Sequence, residues 1–301
     1  MGRLPLRMKT LLCLLLFVSS VTLGSPSDTG PKYSELLGFY NLELDRVVSK
    51  QGRVDYFKLQ SEHSLLDRFV DGIALISLKK MRGPDQLAFW INAYNALTLR
   101  VIIDHYPIRP GFISNPIYPK NSIRQIPGAW NKIEFRVAGQ SLTLDNIEHG
   151  IIREYFKDPR IHMALVCAAI GCPQLRDEAF LGNRLEDQLN DQSRRFFEDP
   201  SKFRIDRSRR EVIISPIFKW YGKDFISKYG NSDQHRFKKH PISTRAVLQF
   251  ASSFLSPEDR LYLESGDFQI HYSIYDWSLN ENQFTQPLNI QKDNRGIHVP
   301  E

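Results

Sequence analysis

The stretch GPDQLAFWINAYNALTLRVII, residues 83–103, places apolar side chains around nearly the whole circumference of a helix. A helix with no polar face must be buried, so the rest of the chain has to be built around it. Gly83 and Pro84 stand where a cap and a first-turn proline belong, which predicts a helix from Pro84 to about His105. Two amides interrupt its apolar surface. Asn92 and Asn95 lie three apart and share one face. Left without partners, buried amides cost about 1–3 kcal/mol each. They therefore either lock neighbouring backbone, or one of them orients a catalytic histidine or donates to an oxyanion.

Around this helix the patterns alternate between the two periods. Residues 33–50 and roughly 61–80 have helical spacing of Leu, Val and Ile, separated by GRVDYF (52–57) as a turn and short extended piece. The stretch 106–131, with five prolines, is expected to be a long irregular loop. Residues 132–144 and 203–215 alternate as hairpins. Helices are expected at 143–156, from about Asn183 to Glu198 with Asn183 and Glu186 at capping-box spacing, and near 217–229 and 242–255. FQIHYSIYDWSL (268–279) reads as a closing strand. Without regular βαβ spacing, the expectation is an α+β fold, mostly helical, one globular domain around a small and mainly antiparallel sheet.

The first residues, MGRLPLRMKTLLCLLLFVSSVTLGS, carry a basic start, a short apolar run and small residues at Thr22 and Gly24, the −3 and −1 positions. That is the pattern of a secretory leader cleaved near Gly24, too short for a membrane span. The expected organisation is leader 1–24, an N-terminal helical segment 25–80, a core 81–280 and a polar tail 281–301, in a secreted or periplasmic protein. Cleavage would remove Arg3, Arg7 and Lys9, halving the formal charge of +6, so nucleic acid is not an expected partner. No transmembrane segment and no cofactor are expected.

The helix expected at 143–156 opens with Thr143 as N-cap, and Leu142 and Ile147 at the positions of a hydrophobic staple. At α-helical spacing Ile147, Ile151, Ile152, Tyr155 and Phe156 form one arc with Glu148 in its middle, His149 at its edge and Arg153 just beyond. A carboxylate facing a core needs a cation or several donors, or its pKa rises and it acts as an acid or as the orienting partner of a base.

Of the three cysteines, Cys13 falls in the leader, leaving Cys167 and Cys172 in HMALVCAAIGCPQL (162–175). As a strand, 162–167 would put His162, Ala164 and Val166 on one face and Met163, Leu165 and Cys167 on the other, with Cys167 embedded in a sheet and Cys172 in a turn, the more exposed of the two. Three roles compete. A disulfide is the default in an exported protein, but five extended residues span about 16 Å and the Cα atoms must come within about 7 Å. A zinc site with His149 and His162 has only marginal ligand spacing and no supporting pair. A nucleophilic thiol needs a base and an orienting group, which His149 or His162 and Glu148 or an Asn would supply.

The blocks AFWINAYNALTL, SLTLDNIEHGIIR, RIHMALVCAAIGCPQLR, SPIFKWYGKDF and YDWSLN, in that order, resemble the family called domain of unknown function 547 over roughly residues 30–280. The resemblance implies that Asn92, Asn95, Glu148, His149, Arg153, His162, Cys167, Cys172, Asp276, Trp277 and Asn280 hold signature positions. It also suggests a relation to papain-like thiol hydrolases and γ-glutamyl-cysteine transferases, in permuted form, because both histidines precede the cysteines unless His271 serves. The expected function is a thiol-dependent hydrolase or acyl transferase acting on a peptide-like or thiol-peptide substrate. Cys167, or else Cys172, would be the nucleophile, His149 the base, Glu148 its orienting partner and Asn92 or Asn95 the oxyanion donor, with His162 a further candidate. Arg153, Trp90 and Asp276 are the expected substrate contacts, although Asp276 and Asn280 also suit turns and Trp277 a core. The competing expectation is a non-catalytic periplasmic binding module with a buried polar network and a Cys167–Cys172 disulfide.

Overall fold

A computed structural model describes residues 32–109, 116–230 and 236–282. The expected leader with Cys13, and the tail beyond Asn282, lie outside the described residues. Helices α1 (Tyr33–Val47), α2 (Tyr56–Ser61) and α3 (Ser64–Ile73) precede α4 (Gly83–His105). From Leu87 to Ile103 every residue of α4 except Arg100 is buried, as its all-round apolar surface requires. Among the described residues no helix is long and apolar enough to cross a membrane.

Beyond α4 come the hairpin β1 (Phe135–Val137) and β2 (Gln140–Leu142), a helical segment Asn146–Phe156, a 3₁₀ turn Pro159–Met163 and α5 (Leu185–Glu198). A second hairpin, β3 (Phe203–Asp206) and β4 (Glu211–Ile214), is followed by α6 (Ile217–Tyr221), α7 (Ile226–Tyr229), α8 (Ile242–Ser252) and α9 (Pro257–Ser265). Strand β5 (Gln269–Tyr272) then joins β4 in parallel, giving the order β3-β4-β5. The fold is mostly helical α+β, with two small, mainly antiparallel sheets. One core gathers around α1–α4, and a phenylalanine-rich core forms from α5, α6, α8 and the three-stranded sheet.

Several expectations are corrected. The cysteine-bearing segment is not a strand: 159–163 is a 3₁₀ turn and 164–172 is irregular, with one isolated bridge between Ala169 and Leu279. Alternation therefore does not sort His162 from Cys167. The segment Asn146–Phe156 winds as a π-helix rather than an α-helix. Its five-residue spacing buries Ile147 and Ile152 together and turns Tyr155 out to 74 % exposure, off the expected apolar arc. Thr143 caps the short helical turn at 144–145 that leads into it, accepting from the Asn146 amide at 3.2 Å while the Asn146 side chain accepts from the Thr143 amide at 3.0 Å. Asn183 does not cap α5, because Arg184 holds that position and Glu186 is drawn to Arg160. The closing strand ends at Tyr272, since 273–280 turns away to meet the cysteine segment. Helix α9 was not anticipated, although Ser256-Pro257 is its N-terminal signal, with Ser256 Oγ accepting from the Asp259 amide at 3.1 Å.

Both amides of α4 lock backbone. Asn92 donates to Phe180 O and accepts from Phe180 N, each at 2.8 Å. Asn95 donates to Ala164 O at 3.0 Å and accepts from Val166 N at 2.9 Å. Asn95→Ala would leave a buried carbonyl and a buried amide without partners, so we expect a loss of about 3 kcal/mol in denaturant unfolding. Asn92→Ala should cost a similar amount.

Candidate active site

The irregular stretch that carries the cysteines is held by the end of the chain. Ile170 N donates to Ser278 O at 2.8 Å, Gly171 N to Asp276 O at 2.7 Å, and Asn280 N to Ala168 O at 3.0 Å. Ala168 takes a left-handed conformation, with φ of 60°, which turns the chain back between the two cysteines. Gly171 packs on the Tyr275 ring so closely that a Cβ there would stand 2.8 Å from the ring carbons. The loop is thus folded inward onto Tyr275, which leaves Cys172 only 4 % exposed and Cys167 partly exposed. This reverses the expected order of exposure.

Both cysteines are free thiols. Cys172 Sγ accepts from the Cys167 amide at 3.1 Å and lies 3.2 Å from the Tyr275 hydroxyl, which is also 3.5 Å from Cys167 Sγ. Burial works against ionising Cys172. Hydrogen bonds from the Cys167 thiol, the Tyr275 hydroxyl and the backbone of Ala169 and Cys167 outweigh it and bring the pKa down to about 7. Cys167 moves the opposite way, because its proton is held by Cys172, and burial and the nearby Glu148 charge add to this. These contacts favour the thiolate on Cys172 over one on Cys167. Lys202 is buried behind the loop, donates to Ile170 O, and interacts with the Cys172 charge.

The cysteines open onto a cleft of about 740 Å³ whose wall also includes Tyr94, Arg124, Trp130, Glu148, His149 and His162. That volume suits a small-molecule or short-peptide ligand. Glu148 sits at the base of the π-helix and raises both Tyr94 and Tyr221, after their own burial, through its charge and side-chain hydrogen bonding. His149 is partly exposed beside it. Its Nδ1 stands 3.8 Å from Glu148 Oε1, beyond hydrogen-bond reach, and accepts from Arg153 Nη1 at 3.0 Å. Since arginine can only donate, the neutral ring carries its proton on Nε2, and Arg153 rather than Glu148 sets the tautomer.

His162 is buried and bonds through Nε2 to Asp224 Oδ2 at 2.9 Å while stacking on Tyr221 at 4.1 Å. Asp224 also takes a two-pronged bond from Arg153 at 2.7 and 2.9 Å. Burial would raise Asp224, but His162 and Arg153 outweigh it and hold the carboxyl well below its usual range. Arg153 is thereby occupied outside the cleft. Trp90 belongs to the core and packs edge-on to Phe89 at 5.1 Å, so it contacts no ligand in this cleft. Asp276 accepts from the Ser278 amide at 2.8 Å and shapes a turn. His271 lies on β5, 3.7 Å from Glu211, away from the cleft wall. Trp277, expected in the core, lines the cleft, whereas Asn280 binds the Tyr56 hydroxyl at 2.7 Å and ties α2 to the C-terminal segment. Asn92 and Asn95 do not line it either.

Sequence reasoning missed Tyr275, Tyr221, Asp224 and Arg124. The first stands immediately before the Asp276-Trp277 pair, and the next two lie in the KWYGKDF block, where their polar groups within an apolar helical run were a usable signal. Among the described residues, no group of three or more His, Cys, Asp or Glu is placed to hold a metal ion.

Fold and cleft together define an α+β protein with a paired-thiol site. Residues 78–197 match the family described as protein of unknown function, DUF547. The matched segment contains α4, the π-helix and both cysteines, whereas the KWYGKDF and YDWSLN blocks that complete the cleft lie beyond it. No curated protein and no solved structure matches the chain.

Two predictions follow from the electrostatics. In alkylation at varied pH, Cys172 should react with an apparent pKa near 7. Tyr275→Phe or Cys167→Ala, each removing a donor to its sulfur, should move that value up toward about 8.5. Asp224 is lower in the folded than in the unfolded state, so its charge stabilises the fold at neutral pH and this contribution is lost as the pH falls below about 4. Asp224→Asn should therefore lower stability by about 2 kcal/mol at pH 7, with the difference from wild type shrinking on acidification, measurable as Tm against pH.

Proposed function

We propose that the protein is an exported thiol-dependent hydrolase or acyl transferase acting on a peptide-like or thiol-peptide substrate, with Cys172 as nucleophile. The observation that carries this reading is the Cys172 sulfur, held near neutral pKa by hydrogen bonds and lining a cleft of ligand size. The nucleophile is thus Cys172 rather than Cys167, because only Cys172 accepts a backbone amide bond from its neighbour. Export rests on the pattern of residues 1–24.

In the first step the thiolate bonds to a carbonyl carbon and the carbonyl π pair moves to oxygen. Collapse of the adduct restores the carbonyl and breaks the bond to the leaving amine or thiol. The Cys167 thiol supplies its proton to that leaving group. Water, or an acceptor amine or thiol in transfer, then attacks the thioester carbon. It returns its proton to Cys167 and frees the Cys172 thiolate. Glu148 and His149 flank the same cleft and act on the polar ends of the substrate.

The binding-module reading draws on a different observation. Among the described residues, neither His149 nor His162 hydrogen-bonds either sulfur; their ring nitrogens face Arg153 and Asp224 instead. The two readings separate in one assay. Purified protein is incubated with a panel of short peptide thioesters and peptide amides, quenched in acid, and analysed by mass spectrometry for acyl adducts. An acyl-thioester on Cys172 is expected, with turnover lost more than about a hundredfold in Cys172→Ala. Adduct and turnover that persist in Cys172→Ala but vanish in Cys167→Ala would reverse the assignment. Reversible binding with no adduct in any protein would favour the module.

A further inference from the structure

Arg124 stands apart from the arginines that anchor the fold. Arg153, Arg160 and Arg176 each pair with carboxylates. Arg124 is exposed on the wall of the cleft that holds both thiols, and among the described residues no carboxylate pairs with it. Its guanidinium lies 4.5 Å from the centre of the Tyr118 ring, 5.0 Å from Trp277 and 5.6 Å from Trp130. One N–H donates to the Tyr118 hydroxyl at 2.7 Å. Its other N–H groups have no side-chain or backbone acceptor among the described residues. Three aromatic rings hold the planar fork in place, so little freedom is left to lose when it binds, and a guanidinium sheds its weak hydration readily.

A cage of one tyrosine and two tryptophans would otherwise suit a cationic ligand. Here the protein's own cation fills it, so that end of the cleft selects an anion. A two-pronged fork matches a carboxylate in particular. Glu148 and Asp145 lie on the wall of the same cleft and repel an anion, which directs a carboxylate toward Arg124. The connection to the thiols runs through two rings: Trp277 is 4.6 Å from Tyr275, and the Tyr275 hydroxyl is 3.2 Å from Cys172 Sγ. Laid end to end from Arg124, and counting the Tyr275 ring itself, those steps total about 16 Å, an upper bound that four or five extended residues reach.

We infer that Arg124 is the specificity-determining anchor for the free C-terminal carboxylate of a short peptide, no more than about four residues beyond the carbonyl that meets Cys172. This rests on the thiolate reading for its second fixed point. It makes the cleft one for carboxyl-terminated short peptides, not for internal segments of folded proteins or for amidated chains.

The test uses bromoacetyl-peptides of two, three and four glycines, each as the free acid and as its C-terminal amide, pairs of probes that differ only in that charge. Labelling of Cys172 is followed by mass spectrometry in the wild type, Arg124→Gln and Arg124→Lys, with free cysteine as the reference thiol. In the wild type, at the length that spans the cleft, the acid should label about tenfold faster than the amide, relative to their ratio on free cysteine. That ratio should fall to about one in Arg124→Gln and stay intermediate in Arg124→Lys. Because it is taken within each variant, a general loss of reactivity cancels. A wild-type ratio near that of free cysteine at every length, or a preference unchanged in Arg124→Gln, overturns the carboxylate anchor while leaving the thiolate reading intact. Failure of every probe to label wild-type Cys172 overturns the thiolate reading, and this anchor with it.

Discussion

A stretch of buried, irregular backbone, residues 164–172, has to satisfy its N–H and C=O groups without the help of a helix or a sheet, and the site depends on how it does so. Asn95 of the central helix takes the carbonyl of Ala164 and the amide of Val166. The C-terminal segment takes Ala168, Ile170 and Gly171. The amide of Cys167 has neither partner and turns to the sulfur of Cys172. That last bond makes two chemically identical thiols unequal. A buried amide that would otherwise lack an acceptor finds one that is better the more negative it becomes, so the same contact satisfies the backbone and stabilises a thiolate.

The acidic side of the cleft is organised by a separate chain of contacts. Arg153 and His162 converge on Asp224, His162 stacks on Tyr221, and Tyr221 faces Glu148. His162 is therefore bonded to Asp224 rather than to either sulfur, with its ring buried against Tyr221. His149 is also held, with its Nδ1 lone pair committed to Arg153. Neither ring is poised on a thiol as the resemblance to papain-like enzymes would suggest. The groups against the Cys172 sulfur are the Cys167 amide and the Tyr275 hydroxyl, and that is a different way of tuning a cysteine from a thiolate–imidazolium pair.

Tyr275 and Trp277 join the two halves of this arrangement. Tyr275 packs against both hydrophobic cores, reaches both sulfurs with its hydroxyl and fills the space above Gly171. Trp277 continues the aromatic wall to Arg124. Both come from the end of the described chain, more than a hundred residues after the first cysteine, as the separation of 108 between Cys167 and Tyr275 records.

The sequence by itself determined the elements whose chemistry is local. The apolar circumference of 83–103 dictated a central buried helix, alternation dictated the two hairpins, and the Thr143 cap was legible in a single turn. The composition of Cys167, Cys172, Glu148, His149 and His162 identified the residues of the cleft. Only the tertiary structure decided what those residues do there. Alternation around 162–167 suggested a strand because apolar runs look alike whether they enter a sheet or fill a core. Asn92 and Asn95 could have been oxyanion donors until backbone 70 to 90 residues away claimed them, as the separations of 88 and 71 show. Which cysteine is favoured as a thiolate lay beyond local reading altogether, because that preference is set by a hydroxyl, a neighbouring thiol and backbone amides whose positions exist only once the C-terminal segment has folded over the loop.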